Sequence, residues 1–194
     1  MNINRQKKEI HLKIVYYGPA YSGKTTNLEK LHEGLNPNIR SDLTSMKNDG
    51  DRTLFFDYMQ VGLGKIGGLT PRFNLYTVPG QVQYGTTRKI VLRGSDAVVF
   101  VADSSARRAK ENVYSWRQLH QQLKELNFNP AQFPVIMQFN KRDLPDAMPI
   151  DLMKRIFNLG NRSFIEAQAH QNIGTRETLQ ATIQAVFKSL RKPA

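Results

Sequence analysis

Residues 12–17 (LKIVYY) form a short apolar run rich in β-formers that stops at a glycine-containing loop, which is the pattern of a buried strand. A helix is predicted to follow at once, over about residues 24–33. Residues 53–60 (TLFFDYMQ) and 72–78 (RFNLYTV) predict two further strands. The stretch between them holds Gly62, Gly64, Gly67 and Gly68, so the pair reads as a hairpin whose connection is longer than a tight turn. Residues 97–102 (AVVFVA) and 134–139 (PVIMQF) are near-continuous apolar runs, as strands of a parallel sheet covered on both faces would be. Val113, Trp116, Leu119, Leu123 and Leu126 recur at spacings of three or four, and Leu179, Ile183, Val186, Phe187 and Leu190 repeat that helical stripe. Trp116 and both stripes read as core. A short strand is predicted near residues 164–167. The alternation predicts an α/β three-layer sandwich, a mostly parallel sheet with helices on both faces. Right-handed crossovers then collect the loops after the strand C-termini along one edge, where ligands bind.

Composition narrows this picture without redirecting it. A chain of 194 residues suits one domain spanning 1–194, with a polar extension over about residues 1–9. No apolar run approaches the roughly 20 residues that cross a bilayer, so a cytoplasmic protein is expected. The absence of cysteine excludes disulfides and thiolate metal sites, and four widely spaced histidines argue against zinc. The formal charge of +12 implies attraction to anionic surfaces: nucleic acid, anionic lipid or an acidic protein. It does not choose among them, and its clusters (Arg5-Lys7-Lys8, Arg107-Arg108-Lys110, Lys188-Arg191-Lys192) are short enough to be solvated faces.

Candidate chemistry begins after the first predicted strand. Residues 18–25 (GPAYSGKT) match G-x-x-x-x-G-K-[ST] in the strand-loop-helix setting that a phosphate-binding loop needs. Gly18 and Gly23 let the backbone curl so that its N–H groups, across Ala20, Tyr21, Ser22 and on to Thr26, face phosphate oxygens at the positive end of a helix. Lys24 reaches the β- and γ-phosphates, and the Thr25 hydroxyl ligates Mg2+. Residues 140–143 (NKRD) follow directly on a buried strand. By its resemblance to the guanine motif of Ras-like GTPases, this quartet implies that the Asp143 carboxylate accepts from guanine N1–H and its exocyclic amine, that Lys141 lies along the base, and that Asn140 ties the loop. Adenine has no N1–H and would leave the acceptor unpaired, at a cost of about 1–3 kcal/mol.

The N-K-x-D quartet resembles the guanine motif of Ras-like GTPases, and residues 77–81 (TVPGQ) stand where those proteins carry D-x-x-G-Q. With residues 51–57 (DRTLFFD) and 15–19 (VYYGP), the chain resembles the MglA group of bacterial Ras-like small GTPases, which control cell polarity and gliding motility. The resemblance spans about residues 13–190. It implies that Thr53 meets Mg2+ and the γ-phosphate, that Gly80 senses that phosphate, that Gln81 orients the attacking water, and that Arg52 is an intrinsic arginine finger. It also sets Gln168 and Ala169 at the family's base-contacting pair, with glutamine in place of serine. Two departures bear on rate. Thr77 replaces the aspartate that anchors a Mg2+-bound water, a change the group tolerates that leaves metal affinity to Thr25, Thr53 and the phosphates; Ala20 replaces a glycine beside the γ-phosphate, so hydrolysis is expected to be slow without an activator. The implied partners are GTP and GDP, a roadblock-type homodimeric activator, and motility or polarity effectors that recruit the protein to a pole or the membrane periphery. A GTP-binding scaffold with little turnover is the alternative; a nucleic-acid-associated GTPase is the weaker third.

Overall fold

The computed structural model describes residues 2–46, 56–160 and 162–190. Its strands are β1 (Asn2–Asn4), β2 (Glu9–Tyr17), β3 (Thr44–Met46), β4 (Phe56–Gly62), β5 (Thr70–Thr77), β6 (Ala97–Asp103), β7 (Val135–Asn140) and β8 (Phe164–Glu166). Its α-helices are α1 (Lys24–Gly34), α2 (Gly85–Leu92), α3 (Ala109–Glu125), α4 (Ile150–Phe157) and α5 (Thr175–Leu190). The strands make one mixed sheet in the order β3-β4-β5-β2-β6-β7-β8. Strands β5, β2, β6, β7 and β8 run parallel, and β4 is antiparallel to both β3 and β5.

Alternation along the central strands sends side chains to two cores. Val15 and Tyr17 of β2 and Val98, Phe100 and Ala102 of β6 face Trp116 and Leu119 of α3 and Met153 and Phe157 of α4. Leu12, Ile14 and Tyr16, with Val99 and Val101, face Leu28 and Leu31 of α1 and Leu179 and Val186 of α5. A sheet buried on both faces has no solvated side to alternate with, which is why β6 reads as an unbroken apolar run. Trp116 is core: its ring meets Phe100 edge-on at 4.9 Å, and its indole N–H donates to the Phe157 carbonyl at 3.1 Å.

The pattern missed four elements. The polar segment over residues 1–9 contains β1, which pairs antiparallel with Glu9, Ile10 and His11. Strand β6 pairs with β2 only from Ile14 onward, so β1 occupies the length of that edge that β6 leaves unpaired. Helices α2 and α4 have eight residues each, too short for a stripe to be counted, and they owe their stability to burying Val91, Leu92, Met153 and Phe157. Strand β3 is three residues long. Of the strand expected over residues 53–60, positions 53–55 lie outside the described residues. Among the described residues no helix is long and apolar enough to cross a membrane.

Candidate functional site

The loop between β2 and α1 curls as its glycines require. Gly23, immediately before the helix, has φ +100°, and a Cβ there would sit 2.2 Å from Asn140 Nδ2, so only glycine fits. Tyr21 also has a positive φ, 63°, and turns its side chain outward, 80% exposed. Lys24 folds across the loop and donates to the carbonyls of Gly18 at 3.1 Å and Pro19 at 2.6 Å. Burial, and then the nearby charge of Arg88, push its ammonium pKa down to about 7, against the opposing pull of Asp57. The Lys24 ammonium is thus buried with two carbonyls as its hydrogen-bond partners, and an anion in the loop would offset its desolvation.

On the sheet side of the loop, one carboxylate collects three hydroxyls. Thr25 and Thr77 donate to Asp57 Oδ2 at 2.7 and 2.8 Å, and Ser45 donates to Oδ1 at 2.7 Å. The Asp57 N–H donates in turn to Thr77 Oγ1 at 2.8 Å. The cause is register: β4 and β5 pair Tyr58 with Tyr76, which sets Asp57 beside Thr77 at the strand end. The carboxylate that the Ras-like pattern carries at position 77 is therefore supplied from the neighbouring strand. Sequence reasoning quoted Asp57 only as part of a motif; its signal was a lone charge in an apolar strand, directly opposite Thr77 once the hairpin register is drawn. These hydroxyl and carboxylate oxygens are hard donors of the kind Mg2+ takes, and one or two carboxylates with phosphate oxygens is its ordinary protein complement.

The loop after β5 closes the third wall. A Cβ on Gly80 would lie 2.3 Å from the Ala20 nitrogen, 2.4 Å from the Pro19 carbonyl carbon and 2.5 Å from the Ala20 Cα, so Gly80 rests directly on the phosphate-loop backbone. Gln81 follows it, exposed, with its amide oxygen 3.4 Å from Gln83 Nε2. Ala20, Lys24, Thr25, Asp57, Gly80 and Gln81 border one cavity of ≈ 350 Å³.

At the other end Asn140, almost fully buried, clips two loops together. Its Nδ2 donates to the Ser22 carbonyl at 2.8 Å and its Oδ1 accepts from the Ala169 N–H at 2.9 Å. Lys141, at φ +64°, donates to Asp103 Oδ2 at 2.7 Å. Asp143 lies 3.9 Å from the His170 ring nitrogen. Gly23, Thr26, Asn140, Lys141 and His170 border a second cavity, of ≈ 500 Å³. Both cavities are bordered by Tyr21, Lys24 and Thr25, so they form one continuous trough. His170, which the sequence reading did not single out, is brought to the trough by the turn after β8. Gln168 is half-buried on that turn and bridges Ile173 through backbone bonds. Arg52 and Thr53 lie outside the described residues. Of the other sequence-predicted positions, Ala20, Tyr21, Gly23, Lys24, Thr25, Thr26, Gly80, Gln81, Asn140 and Lys141 border the two cavities, whereas Gly18, Ser22, Asp143, Gln168 and Ala169 lie on the same loops without bordering either.

The chain is 42% identical over 190 residues, covering 98% of it and 97% of the relative, to the mutual gliding-motility protein MglA of Myxococcus xanthus (strain DK1622). The model of the ADP-ribosylation factor family matches residues 1–192, and the chain belongs to that family of small GTPases.

Proposed function

We propose that this GTPase works as a polarity or motility switch, with the trough described above as its GTP site and Mg2+ as its metal. The observation that carries the reading is the seat of Gly80 on the backbone of Pro19 and Ala20. A γ-phosphate held by the loop of Gly18, Ser22, Gly23 and Lys24 is then sensed by the Gly80 loop, and its loss frees that loop to move. Lys24 and the N–H groups at the start of α1 hold the phosphates. Bound there, Mg2+ would neutralise phosphate charge, with Thr25 as ligand and Asp57 fixing it from behind; Thr53 adds to this set by resemblance. Gln81 orients the attacking water, because its amide both donates and accepts. Arg52 would stabilise charge developing on the transferred phosphoryl group.

Specificity for guanine rests on Asp143, with Lys141 against the base and Asn140, Gln168 and Ala169 shaping the pocket. Competition binding with GTP, GDP and ATP tests this assignment: GTP and GDP should bind at least about 100-fold more tightly than ATP. Equal affinities would remove the guanine reading. The named role of the Myxococcus relative supports a place in gliding motility. The resemblance also supports a roadblock-type homodimeric activator, with effectors reading the surface around the Gly80-Gln81 loop in each nucleotide state. Turnover without that activator is slow, because the Ala20 methyl lies beside the loop that must position Gln81.

A further inference from the structure

Arg88, on α2, is 3% exposed and makes none of the phosphate or base contacts assigned above. Its guanidinium is nonetheless fully engaged. Nη1 donates to the carbonyls of Pro79 at 3.3 Å and Gln81 at 2.5 Å, and Nη2 to that of Val82 at 3.4 Å. On its other side Nε donates to the Tyr17 hydroxyl at 3.1 Å. That hydroxyl donates to Gln122 Oε1 at 3.0 Å, and Gln122 Nε2 donates to the carbonyl of Gly85 at 3.0 Å. Tyr17 lies on the central strand β2, one residue before the phosphate loop, and Gln122 on α3, so both ends of the loop over residues 79–85 are tied to fixed core elements. The guanidinium fork is what makes this connection possible. Three carbonyls and a hydroxyl must be met in one plane from one buried residue, which an ammonium on a single point cannot do.

We infer that Arg88 is a positioning residue for GTP hydrolysis. It fixes the Gly80-Gln81 loop to β2 and α3 through Tyr17 and Gln122, so that Gln81 is held where it can orient water. The inference rests on the reading of Gln81 as the water-orienting residue. It places the rate of hydrolysis under control of a buried network that touches neither nucleotide nor metal. Misplacing a catalytic group by about 1 Å costs on the order of 100-fold in rate, whereas phosphate and base contacts do not pass through this network.

The test measures single-turnover GTP hydrolysis, affinity for fluorescent GDP and melting temperature for Arg88→Lys, Tyr17→Phe and Gln81→Leu. Arg88→Lys should hydrolyse GTP about 10- to 100-fold more slowly while GDP affinity stays within about threefold of the parent. Tyr17→Phe, which removes one hydroxyl from an otherwise unchanged core, should slow hydrolysis about 3- to 10-fold with GDP affinity intact. It decides the matter if Arg88→Lys does not fold. Parent-rate hydrolysis by these two variants beside an inactive Gln81→Leu would overturn the inference and leave Gln81 standing. Parent-rate hydrolysis by Gln81→Leu would remove the underlying reading itself. Hydrolysis, GDP affinity and melting temperature falling together in both network variants would make Arg88 a structural residue only, and would also overturn the inference.

Discussion

Replacing Gly80 by alanine separates sensing of the γ-phosphate from nucleotide binding. The added Cβ would stand 2.3–2.5 Å from three backbone atoms of Pro19 and Ala20, whereas carbon makes comfortable contact at about 3.5 Å or more. The overlap is about 1 Å, and neither partner can rotate away, because both are main chain. The phosphate loop is held by the buried Asn140 bond to Ser22 and by Lys24, so the loop after β5 is the side that yields. A shift of about 1 Å carries Gln81 with it and should slow hydrolysis on the order of 100-fold. The same overpacking should cost about 1–3 kcal/mol of stability. Affinity for GDP, which needs no contact with Gly80, should change by less than about threefold, on the same differential-binding logic. Single-turnover hydrolysis, fluorescent-GDP titration and urea denaturation measure the three quantities. Parent-rate hydrolysis at parent stability would show that the wall between Gly80 and the phosphate loop is not what couples them.

Asp57→Asn keeps the shape of the hydroxyl cluster but removes its charge, and should weaken Mg2+ binding to the GDP complex about 10- to 100-fold, measured by metal titration against nucleotide release. Asn140→Ala leaves the Ser22 carbonyl and the Ala169 N–H without their partner, and should cost about 2–4 kcal/mol in urea unfolding of the nucleotide-free protein. Lys24, lowered to about 7 against its ordinary 10.5, binds fewer protons folded than unfolded between those two values. Stability of the nucleotide-free protein therefore rises with pH across that window, by about 2 kcal/mol from pH 7 to pH 9. Lys24→Met should abolish this slope, and the same slope in parent and variant would refute the assignment.

The sandwich, and the loop and helix boundaries that carry the motifs, were legible because local chemistry dictates them. A glycine before a helix N-terminus, apolar runs between helical stripes and a polar quartet after a buried strand each carry their meaning within a few residues. Helices α2 and α4 were not legible, since eight-residue segments draw their stability from the faces they cover rather than from their own periodicity. Asp57 shows the same limit at the site. Its lone charge was visible in the chain, but its meeting with Thr25 follows from the β4–β5 register and from where α1 lies across the sheet. Arg88, with its fork spread over three carbonyls and a tyrosine hydroxyl, had no sequence signal at all. The sequence by itself carried the two motifs on which the nucleotide reading rests, because residues 18–25 and 140–143 are each contiguous. Only the tertiary structure decided which carboxylate meets the Thr25 hydroxyl and what holds the Gly80-Gln81 loop, because those contacts join residues that the chain separates by 32 and 71 positions.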